Sequence, residues 1–149
     1  TPLGTVTEEH WDDLIGTNLK APLFLSQAAL PALRAAGGAI VNIVDVHSTH
    51  PLRDHPVYGP AKAGLAMLTR SLAKDLAPDV RVNGVSPGAI LWPENDMSDD
   101  TKQAILKQVP LARPGDPGDI AGAVLFLVRD ATYVTGQIIA VDGGRSIGW

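Results

Sequence analysis

The chain contains no cysteine, so disulfides and thiolate chemistry are excluded, which suits a reducing compartment such as the cytoplasm. No apolar run reaches the ~18 residues that a membrane-spanning helix needs. No charged-then-apolar leader opens the sequence, which speaks against a secretory signal. A soluble, cytoplasmic protein is the expectation. The formal net charge is −4, which gives no electrostatic reason to expect nucleic acid. Also missing is any Gly-x-Gly-x-x-Gly or Gly-x-x-x-Gly-x-Gly turn after a strand, the element that cradles a dinucleotide pyrophosphate. With 149 residues, 45% of them hydrophobic, the chain has enough apolar surface to bury a core as one domain.

What is present centres on residues 45–62, DVHSTHPLRDHPVYGPAK. Tyr58 and Lys62 are four apart at the start of an apolar-periodic segment, so they share a helix face one turn apart. A phenol with a pKa near ~10 is a poor acid–base group at neutral pH, and a neighbouring ammonium favours its ionised form. The spacing therefore suggests a tuned proton donor, although such pairs also arise by chance. Residues 39–44, AIVNIV, read as a buried strand with Asp45 directly at its end. Residues 80–85, VRVNGV, read as a second strand leading into Ser86, Pro87 and Gly88. In open α/β sheets ligands bind outside the carboxyl ends of parallel strands, which would gather Asp45, Tyr58, Lys62, Pro87 and Gly88 at one edge.

Around this centre, Thr7 with Glu8 and Glu9 reads as a helix start. The periodicity that follows predicts a helix to about Arg34, stopping at Gly37-Gly38, with Pro22 and Pro31 kinking or interrupting it. Asn18 lies within it, and composition alone reads it as a satisfied polar residue on a half-buried face. His47, His50 and His55 raise the question of a metal. They fall in a proline-containing loop rather than on one helix face and have no cysteine beside them, so solvated loop histidines and no metal are expected. His47, two residues past Asp45, could still line the site.

A helix is predicted over residues 57–77, with Pro60 tolerated in its first turn. Residues 89–96 have no regular period and read as a lid-like loop, in which Leu91 and Trp92 either wall a ligand or pack the loop onto the body. Ser98 caps a short helix to about Gln108. Asp116-Pro117-x-Asp119 is a capped helix start. Residues 137–141 form a last strand, ended by Asp142-Gly143-Gly144.

Taken together, Asn18-Leu-Lys20, the strand ending at Asp45, Tyr58-Gly-Pro-Ala-Lys62, Asn83-Gly-Val-Ser-Pro-Gly88 and Val141-Asp-Gly-Gly144 resemble a short-chain dehydrogenase/reductase over essentially the whole chain. The resemblance implies an α/β, Rossmann-like, doubly wound parallel sheet, here only its C-terminal half, with about three strands and flanking helices. It places all of residues 1–149 in the C-terminal portion of one domain of roughly double the length, the dinucleotide-binding half lying outside this sequence. It implies catalytic roles for Tyr58, Lys62 and Asn18, the last holding a water in a proton relay. Cofactor contacts fall to Tyr58, Lys62, Ser86, Pro87 and Gly88. A homo-oligomer, tetrameric by resemblance, would form on the long helix. Arg145 and Trp149, near an end that packs at the subunit interface in relatives, are weaker candidates for substrate contact.

The family departs from this sequence at one informative place. Most members carry Ser thirteen residues before the Tyr, and here that residue is Asp45. Pteridine reductases have Asp there, and residues 45–64 are similar to theirs. That likeness implies an NADPH-dependent reductase of a pterin or folate C=N bond, with Asp45 as a further catalytic group. Substrate contacts would come from Asp45, Tyr58, Leu91, Trp92, Pro93 and Met97. The rivals are an ordinary carbonyl reductase and a nucleotide-binding protein or fragment without activity.

Overall fold

The computed structural model describes residues 1–92 and 97–147. Its first element, α1 (Glu8–Ile15), is opened by a capping box: the Thr7 hydroxyl accepts from the His10 N–H while the His10 ring accepts from the Thr7 N–H. One π-helical turn, Gly16–Lys20, follows before α2 (Ala21–Ala36). The predicted interruption is therefore found, but it precedes Pro22 rather than falling at either proline. A proline ring crowds the carbonyl four residues earlier. The widened turn relieves that crowding, with the Ala21 N–H reaching back to Gly16 O. Pro31 is accommodated inside α2, which ends on Gly37 in the left-handed conformation (φ 57°).

Strands β1 (Ala39–Ile43), β2 (Arg81–Pro87) and β3 (Ile138–Val141) form a parallel sheet in the order β1-β2-β3. Between the first two runs α3 (Tyr58–Leu76). The short helix α4 (Asp99–Leu106), capped by Ser98, follows β2. Next comes α5 (Pro117–Leu125), opened by the Asp116/Asp119 capping box and closed by a second π turn, Phe126–Asp130. Ser86 and Pro87 belong to β2, not to a loop beyond it, because Ser86 is in register with Ala140 and Pro87 with Val141.

Alternation along β2 sends its side chains to two different layers. Val82 joins Val80, Ala73 and Leu76, with Leu30, Leu33, Ile40 and Leu72 around them; this is the side of α2 and α3. Val85 joins Leu127 and Ala131, with Val41, Ile139 and residues of α5. Helices on both faces of a parallel sheet make a doubly wound arrangement. Two polar side chains fix its geometry. The buried Asn83 amide donates to Val134 O (2.9 Å) and accepts from Gln137 N–H (3.0 Å), pinning the turn into β3. Arg81 reaches across to the π turn after α5.

Candidate active site

All three strands point their carboxyl ends the same way, so the segments leaving them share one edge. Asp45 leaves β1 extended (φ −172°, ψ 150°) and caps a short 3₁₀ turn, Val46–Ser48, its Oδ1 accepting from the His47 N–H at 2.8 Å. Its other oxygen faces α3, where the Tyr58 hydroxyl donates to Oδ2 at 2.7 Å. Both oxygens are thus held, one by backbone and one by the phenol. Lys62, one turn along α3, donates to Ile43 O at 3.0 Å, and its Nζ lies 5.8 Å from the centre of the Tyr58 ring. Asp45, Tyr58 and Lys62 therefore meet in space as the sequence predicted.

The electrostatics differ from the prediction. Tyr58 is held well above the ordinary phenol range, first by burial, then by its hydrogen bond to Asp45 and by that carboxylate's charge. Lys62 was expected to draw the phenol down. Its ammonium is directed at Ile43 O, while Asp45 touches the hydroxyl itself, and the nearer charge prevails. Lys62 is shifted downward by burial, opposed by the charge of Asp45.

Asn18 sits in the first π turn, with its amide donating to Leu14 O at 3.0 Å. That turn packs on α3, where Leu19 fills the space beside Gly64. Among the described residues no hydrogen bond joins Asn18 to Tyr58 or Lys62. Ser86 is buried in β2, and the Gly88 N–H is taken by Val141 O (3.1 Å). A Cβ at Gly88 would come within 2.7 Å of Asp142 Cα, so the glycine allows β3 to approach, and what Ser86, Pro87 and Gly88 can offer a ligand is largely carbonyl oxygen. Of the predicted substrate contacts, Leu91 is 75% exposed while Trp92 and Met97 are half-buried. Pro93 and Trp149 lie outside the described residues.

Sequence reasoning ended the last strand at Asp142-Gly143-Gly144 but missed what the aspartate does in the turn after β3. The Asp142 carboxylate accepts from Gly144 N–H and Ser146 N–H, both at 2.8 Å, which shapes the short turn Arg145–Ile147. Asp is suited to accept from the backbone two residues on, so Asp142-Gly143-Gly144 carried a signal beyond its glycines. A cavity of about 500 Å³ is bordered by this turn together with Ile90, Leu111 and Arg113; Asp45 and Tyr58 do not line it. The described helices include none long and apolar enough to cross a membrane.

A hydroxyl held by a carboxylate, with an ammonium one helical turn away at the carboxyl edge of a parallel sheet, is an arrangement for moving a proton beside a bound ligand. A family model described as enoyl-(acyl carrier protein) reductase matches residues 1–146. The chain belongs to the short-chain dehydrogenase/reductase family. Its relatives include the 3-oxoacyl-[acyl-carrier-protein] reductase FabG of Staphylococcus aureus, 44% identical over 141 residues, which are 92% of this chain and 57% of that protein. Acetoin dehydrogenase from Enterobacter cloacae superposes with a TM-score of 0.87 at 37% identity, covering 100% of this chain and 60% of that one. A gluconate 5-dehydrogenase from Burkholderia cenocepacia, solved with NADP and tartrate, gives 0.93 at 27% identity, covering 100% and 61%. The Rossmann-like α/β fold of the family is therefore established for this chain, which spans about three fifths of the length of these relatives.

Lys62 has three ammonium protons, and Ile43 O takes one of them. The two that remain, with the Tyr58 oxygen as an acceptor because its proton goes to Asp45, form a set suited to the ribose hydroxyls of a nicotinamide nucleotide, so the residues present fit that group.

Proposed function

We propose that the protein is an NADPH-dependent reductase of the C=N bond of a pterin or dihydrofolate-type substrate, with this chain supplying the nicotinamide side of the site. The observation that carries the reading is the 2.7 Å hydrogen bond from Tyr58 to Asp45, a carboxylate where most of the family has Ser. Reducing a ketone builds negative charge on oxygen, and a carboxylate next to it repels that charge. Reducing a C=N bond places the proton on nitrogen and leaves a neutral amine, so no oxyanion has to be stabilised. A carboxylate can also accept from the ring N–H groups that flank such a bond.

When bound, NADPH would supply the hydride to the substrate carbon, and the NADP of the Burkholderia relative supports this choice of cofactor. Tyr58 donates its proton to the substrate nitrogen, and Lys62 holds the ribose and steadies the phenolate left behind. With Asp45 as carboxylate, Tyr58 stays loaded with its proton. When Asp45 itself takes up a proton, its charge is removed from the phenol and the pair can deliver that proton onward through Tyr58. Asn18 and the π turn support this relay by positioning α3. Leu91, Trp92 and Met97 form the loop side of the substrate pocket, while Ser86, Pro87 and Gly88 meet the carboxamide. The assembly is a homotetramer.

The relatives support a second reading, a short-chain carbonyl reductase in which Asp45 is an unexplained substitution. One experiment separates the two: NADPH oxidation by the natural full-length protein, offered 7,8-dihydrobiopterin and a simple diketone in parallel. The pterin is expected to be preferred. Asp45→Ser should lower kcat/KM for the pterin by about 10²-fold, the value of a charged hydrogen bond, while leaving diketone turnover unchanged or raised. A wild-type preference for the diketone would overturn the pterin reading in favour of the second.

A further inference from the structure

We propose that a second cavity, of about 210 Å³ between α3 and the outer strand β3, is a binding site for a small oxyanion, a phosphate or carboxylate group held by Arg70, Ser86 and Ser48. The inference does not depend on the pterin reading.

The cavity follows from how the sheet is covered. Alternation along β2 puts Gly84 and Ser86 on the same face as Val82, which packs with Ala73 and Leu76 of α3. Their register partners on β3 are Ile138, opposite Gly84, and Ala140, opposite Ser86, so these two face the same way. β3 is the last strand in the order β1-β2-β3, and α3 packs chiefly on β2. The space left beside the helix is the cavity, with Val46, Ala66, Ile138 and Ala140 as its apolar wall.

Three donors meet that wall. Ser86 is only 7% exposed, and its hydroxyl has no hydrogen-bond partner among the described residues. A polar group buried to that degree is ordinarily paired, and leaving it unpaired costs free energy that a bound acceptor relieves. This hydroxyl is separate from the Ser86 carbonyl at the carboxyl edge. Arg70 follows Ala66 by one turn of α3, which brings it to the rim. Arg34, Arg53, Arg113 and Arg129 each have an aspartate partner. Arg70 has neither an ion pair nor a hydrogen bond among the described residues. Ser48, in the turn after Asp45, adds a second hydroxyl without a partner among those residues, whereas the Thr49 hydroxyl is taken by Val46 O and the His50 ring.

No aspartate or glutamate is among the described residues that border the cavity. A cation there would meet the charge of Arg70 with no acid to offset it. A guanidinium presents paired N–H groups to a carboxylate or phosphate, and hydroxyls turn their hydrogens toward the same acceptor. The volume equals that of about seven waters at ~30 Å³ each. That is room for a phosphate or a short carboxylic acid and too little for a dinucleotide.

The test follows the thermal midpoint of the natural full-length protein, with NADPH present to fill the cofactor's own phosphate sites. Inorganic phosphate is titrated in one arm and acetate in another, with ionic strength held constant by chloride. A ligand that binds only the folded state raises the midpoint with concentration, which yields an apparent Kd. At least one of the two anions should stabilise wild type below ~50 mM, and the tighter one shows whether phosphate or carboxylate is preferred. R70Q should weaken that binding at least ~tenfold through loss of a charged donor. S86A, which removes a neutral donor, should weaken it about two- to tenfold. If S86A does not fold, S48A is read in its place. K74Q removes a cation of the same helix that does not border the cavity, and should leave binding unchanged. A wild type that responds to neither anion overturns the inference. So does an equal loss in R70Q and K74Q, which would reduce the effect to general surface charge. A loss in R70Q with S86A and S48A unchanged also overturns it, because the anion would then sit on the guanidinium outside the cavity.

Discussion

Replacing Arg81 by Met should cost the fold about 3 kcal/mol without touching the chemistry. Arg81 opens β2, at the end of the strand opposite Ser86 and Pro87. Its Nη1 donates to Leu127 O at 2.7 Å and Ala131 O at 3.0 Å, and Nη2 to Val128 O at 2.9 Å. Those carbonyls belong to the π turn that closes α5 and the residue after it, where a helix leaves its last acceptors unpaired and carries partial negative charge. Methionine keeps much of the aliphatic stem and removes every donor. Hydrogen bonds from a charged donor contribute ~1.5–3 kcal/mol where water cannot replace them and less where it can. The bonds to Leu127 and Ala131 are partly buried and the one to Val128 is exposed, so roughly 1 kcal/mol each is a restrained value. With a urea dependence of about 2 kcal/mol/M, the unfolding midpoint should fall by roughly 1.5 M. The assay is urea unfolding followed by circular dichroism, beside NADPH oxidation in native buffer. A stability loss below ~1 kcal/mol would refute the idea that these bonds close α5. So would a fall in turnover with the midpoint unmoved.

Two further outcomes follow from the site. Tyr58→Phe should lower pterin turnover by at least ~10²-fold, the usual contribution of a positioned acid. NADPH binding, read by fluorescence titration, should persist because Lys62 is unaltered; ordinary turnover in Y58F would remove Tyr58 from the chemistry. The carboxyl of Asp142 lies below the ordinary range: burial acts against its charge, but hydrogen bonds from Ser146 and Gly144 outweigh that. A carboxylate depressed in the folded state contributes stability above its unfolded pKa and loses it as pH falls through its folded one. Asp142→Asn should therefore be less stable than wild type near neutral pH, with the gap closing below pH ~4. A gap independent of pH would show that the charge of Asp142 does not matter.

Local signals were the legible ones. The run Asp116-Pro117-x-Asp119 contains its own hydrogen bonds, and the structure forms them as a capping box. The apolar runs at β1, β2 and β3 were readable because a doubly buried parallel strand needs little else. Tyr58 and Asp45 were readable through their fixed separation, which the bond between them bears out. Contacts made by long side chains across the sheet left no such trace. Arg81 meets residues 46 to 50 positions away, and Asn83 joins residues 51 and 54 away. No periodicity encodes those distances. The π turn at Gly16–Lys20 was half legible: Pro22 announced a disturbance, but not that the helix would absorb it by widening before the ring.

The acidity of Tyr58 is where sequence and structure part most usefully. Four-residue spacing puts an ammonium on the right face, and the inference that it lowers the phenol assumes that nothing charged comes closer. Burial already favours the neutral phenol, and Asp45, at 2.7 Å from the hydroxyl, reinforces it. Lys62 is meanwhile tied to Ile43 O and itself shifted down by burial. Coulomb energy falls with distance, so the residue at position 45 decides the state of the phenol more than Lys62 does. A serine there carries no charge and leaves the ammonium as the dominant nearby ion, an arrangement suited to a developing alkoxide. An aspartate keeps the hydroxyl protonated and suits a nitrogen that must receive a proton. Asp45→Ser therefore has a second consequence: in thermal melts from pH 9 upward the variant's Tyr58 should ionise more readily than the wild type's. Deletion of the phenol in a Y58F/D45S background should abolish that difference. A wild type and D45S that respond identically to alkali would mean that position 45 does not govern the proton on Tyr58.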